Sequence, residues 1–307
     1  MWILLSILGA FSQAIEMAVK KKALQVKGLN NFIAFFSFTF AGFIIGFIVF
    51  FQSEELFREV YNFPRFWHNV FWSVSLNVFS YFFLYKALDV ADLSYLMPFM
   101  VLTSVFVIIP PFFLLGEIPS IIGFLGILTI VCGAILMEYK RKNKLEIRTE
   151  GEIQKIKNNR KGFVFFIITA ACWTITPTTF KIAIVESSPL FASFIIVFFI
   201  GLSFSFLVIL LNETSRIKEI FYFNKKEKII LLIALMIAGI SIAIQQVSMN
   251  TALKLSDVSY VMAVKRTMPF FAFIIGYLYF KEREHAKRKL AATALMIAGA
   301  ILIVLFN

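Results

Sequence analysis

The chain has 307 residues, 60% hydrophobic and only 16% charged, with a mean hydropathy of +0.86. Soluble domains of this size keep roughly a quarter of their residues charged, so a water-soluble globule is excluded for want of polar surface. The net charge of +12 would suggest nucleic acid in a soluble protein, but the basic residues sit in short connections between apolar runs, where they set membrane topology.

Ten helical spans are predicted in chain order: 2–20, 30–52, 67–88, 93–115, 119–138, 162–183, 189–211, 228–251, 257–280 and 288–306. Most run for about twenty residues, enough to cross about 30 Å of hydrocarbon at about 1.5 Å per residue. None shows the strict alternation of a bilayer strand. Residues 1–19 end in Lys20-Lys21-Lys22 and lack a basic leader, so they read as the first span and not as a signal peptide. The charged segment 139–161 reads as a linker between a first five-helix unit, 1–138, and a second, 162–307. The expected fold is therefore an all-α integral membrane protein.

Of the 30 Lys and Arg, 24 fall in connections after odd-numbered spans and four on the opposite side. The positive-inside rule then puts the linker in the cytoplasm and both termini outside, in the plasma membrane of the cell. Cys132 and Cys172 both lie within apolar runs and outline no disulfide or metal framework.

The two units repeat each other. At a shift of 165, Ala87, Leu88, Asp92, Ser94, Tyr95, Met97, Phe106, Ile109 and Glu117 meet identical residues, and VCGAIL (131–136) faces IAGAIL one position later. A shared polar Asp-x-Ser-Tyr-x-Met string argues for duplication over chance composition. Five spans per unit is odd, so the units enter the membrane with opposite orientation. Such inverted repeats bind a substrate between them near the midplane and work by alternating access.

The alanine-leucine hairpin, the Glu117 and Glu282 that close the following spans, and the Gly-Ala helices resemble the drug/metabolite transporter superfamily, EamA type. Trp173 and Lys181 resemble that family's Trp and Lys in the opening helix of a repeat, and Pro269 its ninth-helix proline. The first repeat keeps Lys20 but has Ser12 and Ser104 in the Trp and Pro places. The resemblance implies a transporter of small metabolites, with export as one direction of transport.

Lys265 and Arg266 lie about eight residues into the ninth span, roughly 12 Å deep, where each cation costs at least about 2.5–3.5 kcal/mol. Such residues face a polar cavity, snorkel, or pair with a buried carboxylate such as Glu16. An anion site is the favoured reading, because Arg offers a planar fork and Lys a mobile point charge to a phosphate or carboxylate. Their first-repeat counterparts are Met100 and Val101, so the scaffold does not require the charge. The pair resembles the ninth-helix Lys-Arg of triose-phosphate/phosphate translocators, but 93–115 has no basic residue to complete that set.

Gln13, Asn77, Tyr81, Tyr95, Trp173, Thr174, Gln245 and Gln246 are further candidate lining residues, with helix–helix hydrogen bonding as the alternative for each. At least one of Gln245 and Gln246 is expected to face inward. Tyr95 and Tyr260 recur in both repeats and read first as fold residues. Glu16 is the one candidate coupling carboxylate, although it would also pair with Lys20 at the interface. Lys181 is expected to snorkel. Gly42, Gly46, Gly126, Gly133 and Gly299 read as helix-packing residues.

No cofactor is expected, and the partners are a small metabolite and membrane lipids, with the chain a monomer or weak homodimer. A flippase for a lipid-linked anion is the nearest alternative, because the same cations would hold a lipid phosphate. A proton-coupled amino-acid or drug exporter is a lesser one. No HExxH or aspartate-rich motif supports an intramembrane enzyme.

Overall fold

The computed structural model describes residues 1–23, 30–52, 64–91, 103, 106–138, 150–214, 217–218, 224–268, 270–271, 274 and 286–305. Among them are ten helices and no strand: α1 (Trp2–Ala23), α2 (Asn30–Gln52), α3 (Pro64–Val90), α4 (Ile109–Leu115), α5 (Ile121–Glu138), α6 (Glu150–Val185), α7 (Pro189–Leu210), α8 (Lys225–Leu255), α9 (Val258–Lys265) and α10 (Ala286–Leu305). Tyr95, Met100, Val101, Ser104, Pro269, Glu282 and the stretch 139–149 lie outside the described residues.

Five helices are long and apolar enough to cross a membrane: Trp2–Lys20, Asn31–Gln52, Lys157–Val185, Pro189–Leu210 and Lys225–Leu255. α5 and α10 carry shorter apolar stretches, Ile121–Leu136 and Ala291–Ile303. Their outward faces expose large apolar side chains such as Phe43, Phe47, Leu202 and Phe206, a surface suited to lipid.

Local chemistry sets the helix ends. α8 begins at a capping box in which Asn224 accepts from the Glu227 N–H while Glu227 accepts from the Asn224 N–H. Ser188 caps α7 by accepting from the Phe191 N–H. The Glu213 carboxylate does the same for α2, taking the Phe32 N–H at 3.1 Å and the Asn31 amide at 2.5 Å. That contact ties the end of α7 to the start of α2.

Residues 150–161, within the segment read as linker, are helical and run straight into α6. Polarity marks a segment that leaves the membrane, but Glu, Gln, Lys and Ile all sustain a helix, and no proline interrupts the run. The ninth span was expected to run unbroken from 257 to 280. Instead α9 ends at Lys265, Arg266 and Thr267 turn through tight bonds to the Ala263 and Val264 carbonyls at 2.9 and 3.0 Å, and Met268, Phe270, Phe271 and Ile274 are helical again. The sequence explains the interruption, because Pro269 has no N–H for the Lys265 carbonyl.

The principal packed pairs are α3 with α6, α1 with α8, α2 with α7, and α5 with α10. Renumbering each helix by five exchanges the first two pairs and returns the last two to themselves. The core is built mainly across these pairs, with Phe38, Phe66, Ile196, Ile200 and Phe204 buried at its centre. Gly126 on α5 and Gly299 on α10 meet so closely that a Cβ on either would lie 2.8 or 2.6 Å from the other's carbonyl oxygen. Gly42 and Gly46 admit Phe198 and Phe194 of α7 in the same way. Tyr260 is buried on α9, and its hydroxyl accepts from the Ser120 N–H at 2.9 Å. This repeated tyrosine thus docks α9 on α5.

Candidate functional site

α1, α3, α6, α8 and α9 enclose a cavity of about 700 Å³, open mouth included. Its wall brings together Gln13 from α1, Asn77 and Tyr81 from α3, Trp173 from α6, Gln245 and Gln246 from α8, and Lys265 and Arg266 from the end of α9. Both adjacent glutamines reach the wall, although only one was required to. Of the other sequence candidates, Tyr95 lies outside the described residues, and neither Glu16 nor Thr174 is in the wall, Thr174 donating to the Ala170 carbonyl at 2.9 Å instead.

Lys265 is the last residue of α9 and Arg266 its C-cap, and both reach the cavity wall. Arg266 donates through Nη2 to the Thr103 hydroxyl, a side chain contributed by the first half of the chain. The charged neighbours acting on Lys265 are Arg266 and Glu16.

Neutral polar groups are held by the neighbouring helices. Asn77 donates to the Ser73 carbonyl at 2.8 Å, and Ser73 donates to Thr179 of α6 at 2.8 Å. Asn250, one turn beyond Gln246, donates to Ser193 of α7 at 2.8 Å. Tyr81 and Trp173 meet edge to face with ring centroids 6.0 Å apart. Pro177 also lines the cavity, and having no N–H it leaves the Trp173 carbonyl without its helical partner.

Behind Tyr81 lies a second charged pair. Lys20 and Glu16 form an ion pair at 2.7 Å, and the Lys20 ammonium sits 5.2 and 5.8 Å from the ring centres of Phe38 and Tyr81. The pair was expected at the membrane interface. Instead both residues are buried, because α3 and the aromatic face of α2 cover that end of α1. Lys181 is also corrected: it does not snorkel but pairs with Glu117, its side chain 13% exposed.

Asn250, Thr176, Phe180, Met249, Leu253 and Met262 complete the lining and were not singled out from sequence. Helical spacing would have found several. Asn250 is four residues after Gln246, Met249 four after Gln245, and Thr176 and Phe180 three and seven after Trp173. The apolar ones carry no chemical signal of their own. Among the described residues no three His, Cys, Asp or Glu come together to hold a metal. The chemistry on offer is therefore that of an ammonium, a guanidinium, carboxamides and aromatic rings.

No curated protein matches this chain. A solved crystal structure matches 99% of this chain and 95% of its own with a TM-score of 0.74 at 14% identity, which shows a shared fold. The EamA-like transporter family matches residues 1–139 and again 160–305. The chain thus belongs to the EamA-like transporter family, multi-pass membrane proteins that carry small molecules and are not enzymes.

Proposed function

We propose that this protein carries a small anionic metabolite across the plasma membrane by alternating access, with the substrate's phosphate or carboxylate held at Lys265 and Arg266. The observation that carries this reading is the convergence of two cations, five carboxamides and three aromatic rings, from helices of both halves, on a single cavity. Two adjacent cations give the cavity a positive potential, and a phosphate or carboxylate is the group that an Arg fork and a Lys ammonium bind best. Gln13, Gln245, Gln246 and Asn77 would meet its neutral polar atoms, and Tyr81 and Trp173 its carbon skeleton.

The halves, 1–138 and 162–307, act in this reading as inverted five-helix repeats of ten spans, joined by 139–161 on the cytoplasmic side. The exchange of packed pairs under renumbering by five supports that symmetry, and the charge bias supports that orientation. Glu16 is engaged with Lys20, which favours anion exchange or facilitated export over a proton relay through this carboxylate.

A thermal-shift screen of purified protein against anionic, zwitterionic and cationic metabolites tests the reading. Anions are expected to stabilise the protein; stabilisation by cations alone would overturn the anion assignment.

A further inference from the structure

At one end of the bundle lies a cluster of charges that the cavity does not use. Lys181, near the end of α6, pairs with Glu117 and also donates to the Ser256 carbonyl at 2.8 Å. The other carboxylate oxygen of Glu117 accepts from the Val258 N–H at 2.8 Å, at the start of α9. Negative charge is favourable there, against the helix N-terminus. Gly116 precedes Glu117 with φ of +70°, a backbone turn that glycine adopts freely and that releases Glu117 from the line of α4.

Glu117 comes from the α4–α5 connection of the first half, whereas Lys181, Ser256 and Val258 belong to the second. The α6–α7 connection lies at the same end, where Arg65 of α3 pairs with Glu186 at 3.2 Å. Phe180, Leu253 and Met262 are each no more than 9% exposed and each part of the cavity wall. Phe180 adjoins Lys181 in sequence, Leu253 is three residues before Ser256, and Met262 is one turn after Val258. An ion pair that joins the two halves thus stands next along the chain to apolar residues of the cavity wall.

A buried ion pair is a weak source of net stability, since desolvation offsets most of its attraction. It is better suited to a contact that has one defined geometry and can still come apart. We propose that Glu117 and Lys181 form a gate closing the cavity at the end that carries the α4–α5, α6–α7 and α8–α9 connections. Its opening separates the α4–α5 connection from α6 and α9 and admits or releases substrate on that face. Its place in a transport cycle rests on the alternating-access reading; its closure of the cavity does not.

The test needs no substrate. Met249→Cys, in the cavity wall, serves as a reporter in protein whose Cys132 and Cys172 are replaced by Ser, reconstituted in vesicles of defined orientation. A membrane-impermeant maleimide is applied to each face in turn. Glu117→Gln keeps an acceptor for the Val258 N–H but removes the charge, and Lys181→Met removes the ammonium. Both are expected to raise labelling from the gate face by about tenfold, with the opposite face unchanged, as loss of one partner of a buried pair predicts. Lys181→Arg is expected to label at the parent rate. Parent-rate labelling in the first two variants, an equal rise from both faces, or fast labelling of Lys181→Arg would each overturn the gate. If labelling follows expectation while no anion stabilises the protein, the gate stands and the anion reading fails.

Discussion

Arg266, at the broken end of α9, donates from its guanidinium to the hydroxyl of Thr103, a side chain of the other half of the chain that is only 3% exposed. The bond occupies one edge of the guanidinium and steadies its plane, so that the site depends on a residue with no charge of its own.

Thr103→Val keeps the shape and removes the acceptor. Substrate affinity is expected to fall roughly tenfold, the usual scale for a hydrogen bond to a charged group, while Thr103→Ser retains it. Uptake into proteoliposomes, read as KM against maximal rate, checks this: the loss should fall on KM.

Lys265→Ala and Arg266→Ala are expected to cut uptake by about a hundredfold or more, because each removes a desolvated charge from a charge-assisted contact. Both proteins should remain monodisperse, since the first-repeat counterparts Met100 and Val101 carry no charge and the duplicated scaffold does without it. Normal transport by both variants would remove the anion site from consideration.

Asp257, in the connection between α8 and α9, has its carboxyl held above the ordinary value of 3.8 by burial and by the charge of Glu117, with Lys181 pulling the other way. The folded protein thus binds this proton more tightly than the unfolded chain. Its contribution to stability is full below the ordinary value and is lost as pH rises through the elevated one. The melting temperature of Asp257→Asn should therefore gain on the parent as pH is raised from about 4. A constant difference across pH would mean that Asp257 does not titrate in that window.

Gly126→Ala would place a methyl group 2.8 Å from the Gly299 carbonyl and 2.7 Å from Ile303. Neither helix can give way cheaply, because backbone is met on both sides. A loss of about 1–3 kcal/mol is expected, visible as a lower melting temperature with the pH and anion responses unchanged.

Much of this architecture is legible without coordinates. Unbroken apolar runs at about 1.5 Å per residue demand helices across a bilayer. A polar string repeated at a shift of 165 marks the chain as two related units. The isolated polar residues of the spans pointed to the cavity for the same reason, because hydrocarbon tolerates few of them. What could not be read were distances between helices. Lys181 and Glu117 look like two interfacial charges until folding sets them against each other, and Glu16 and Lys20 look like a surface pair until α2 and α3 cover them.

The sequence by itself determined the class of the protein, its duplicated plan and its candidate cations Lys265 and Arg266, since hydrophobic length and internal repetition are properties of the chain alone. Only the tertiary structure decided that Thr103 steadies Arg266 and that Glu117 meets Lys181. Those facts depend on which helix faces meet across the two halves, and a packing choice among apolar helices leaves almost no mark on any one segment.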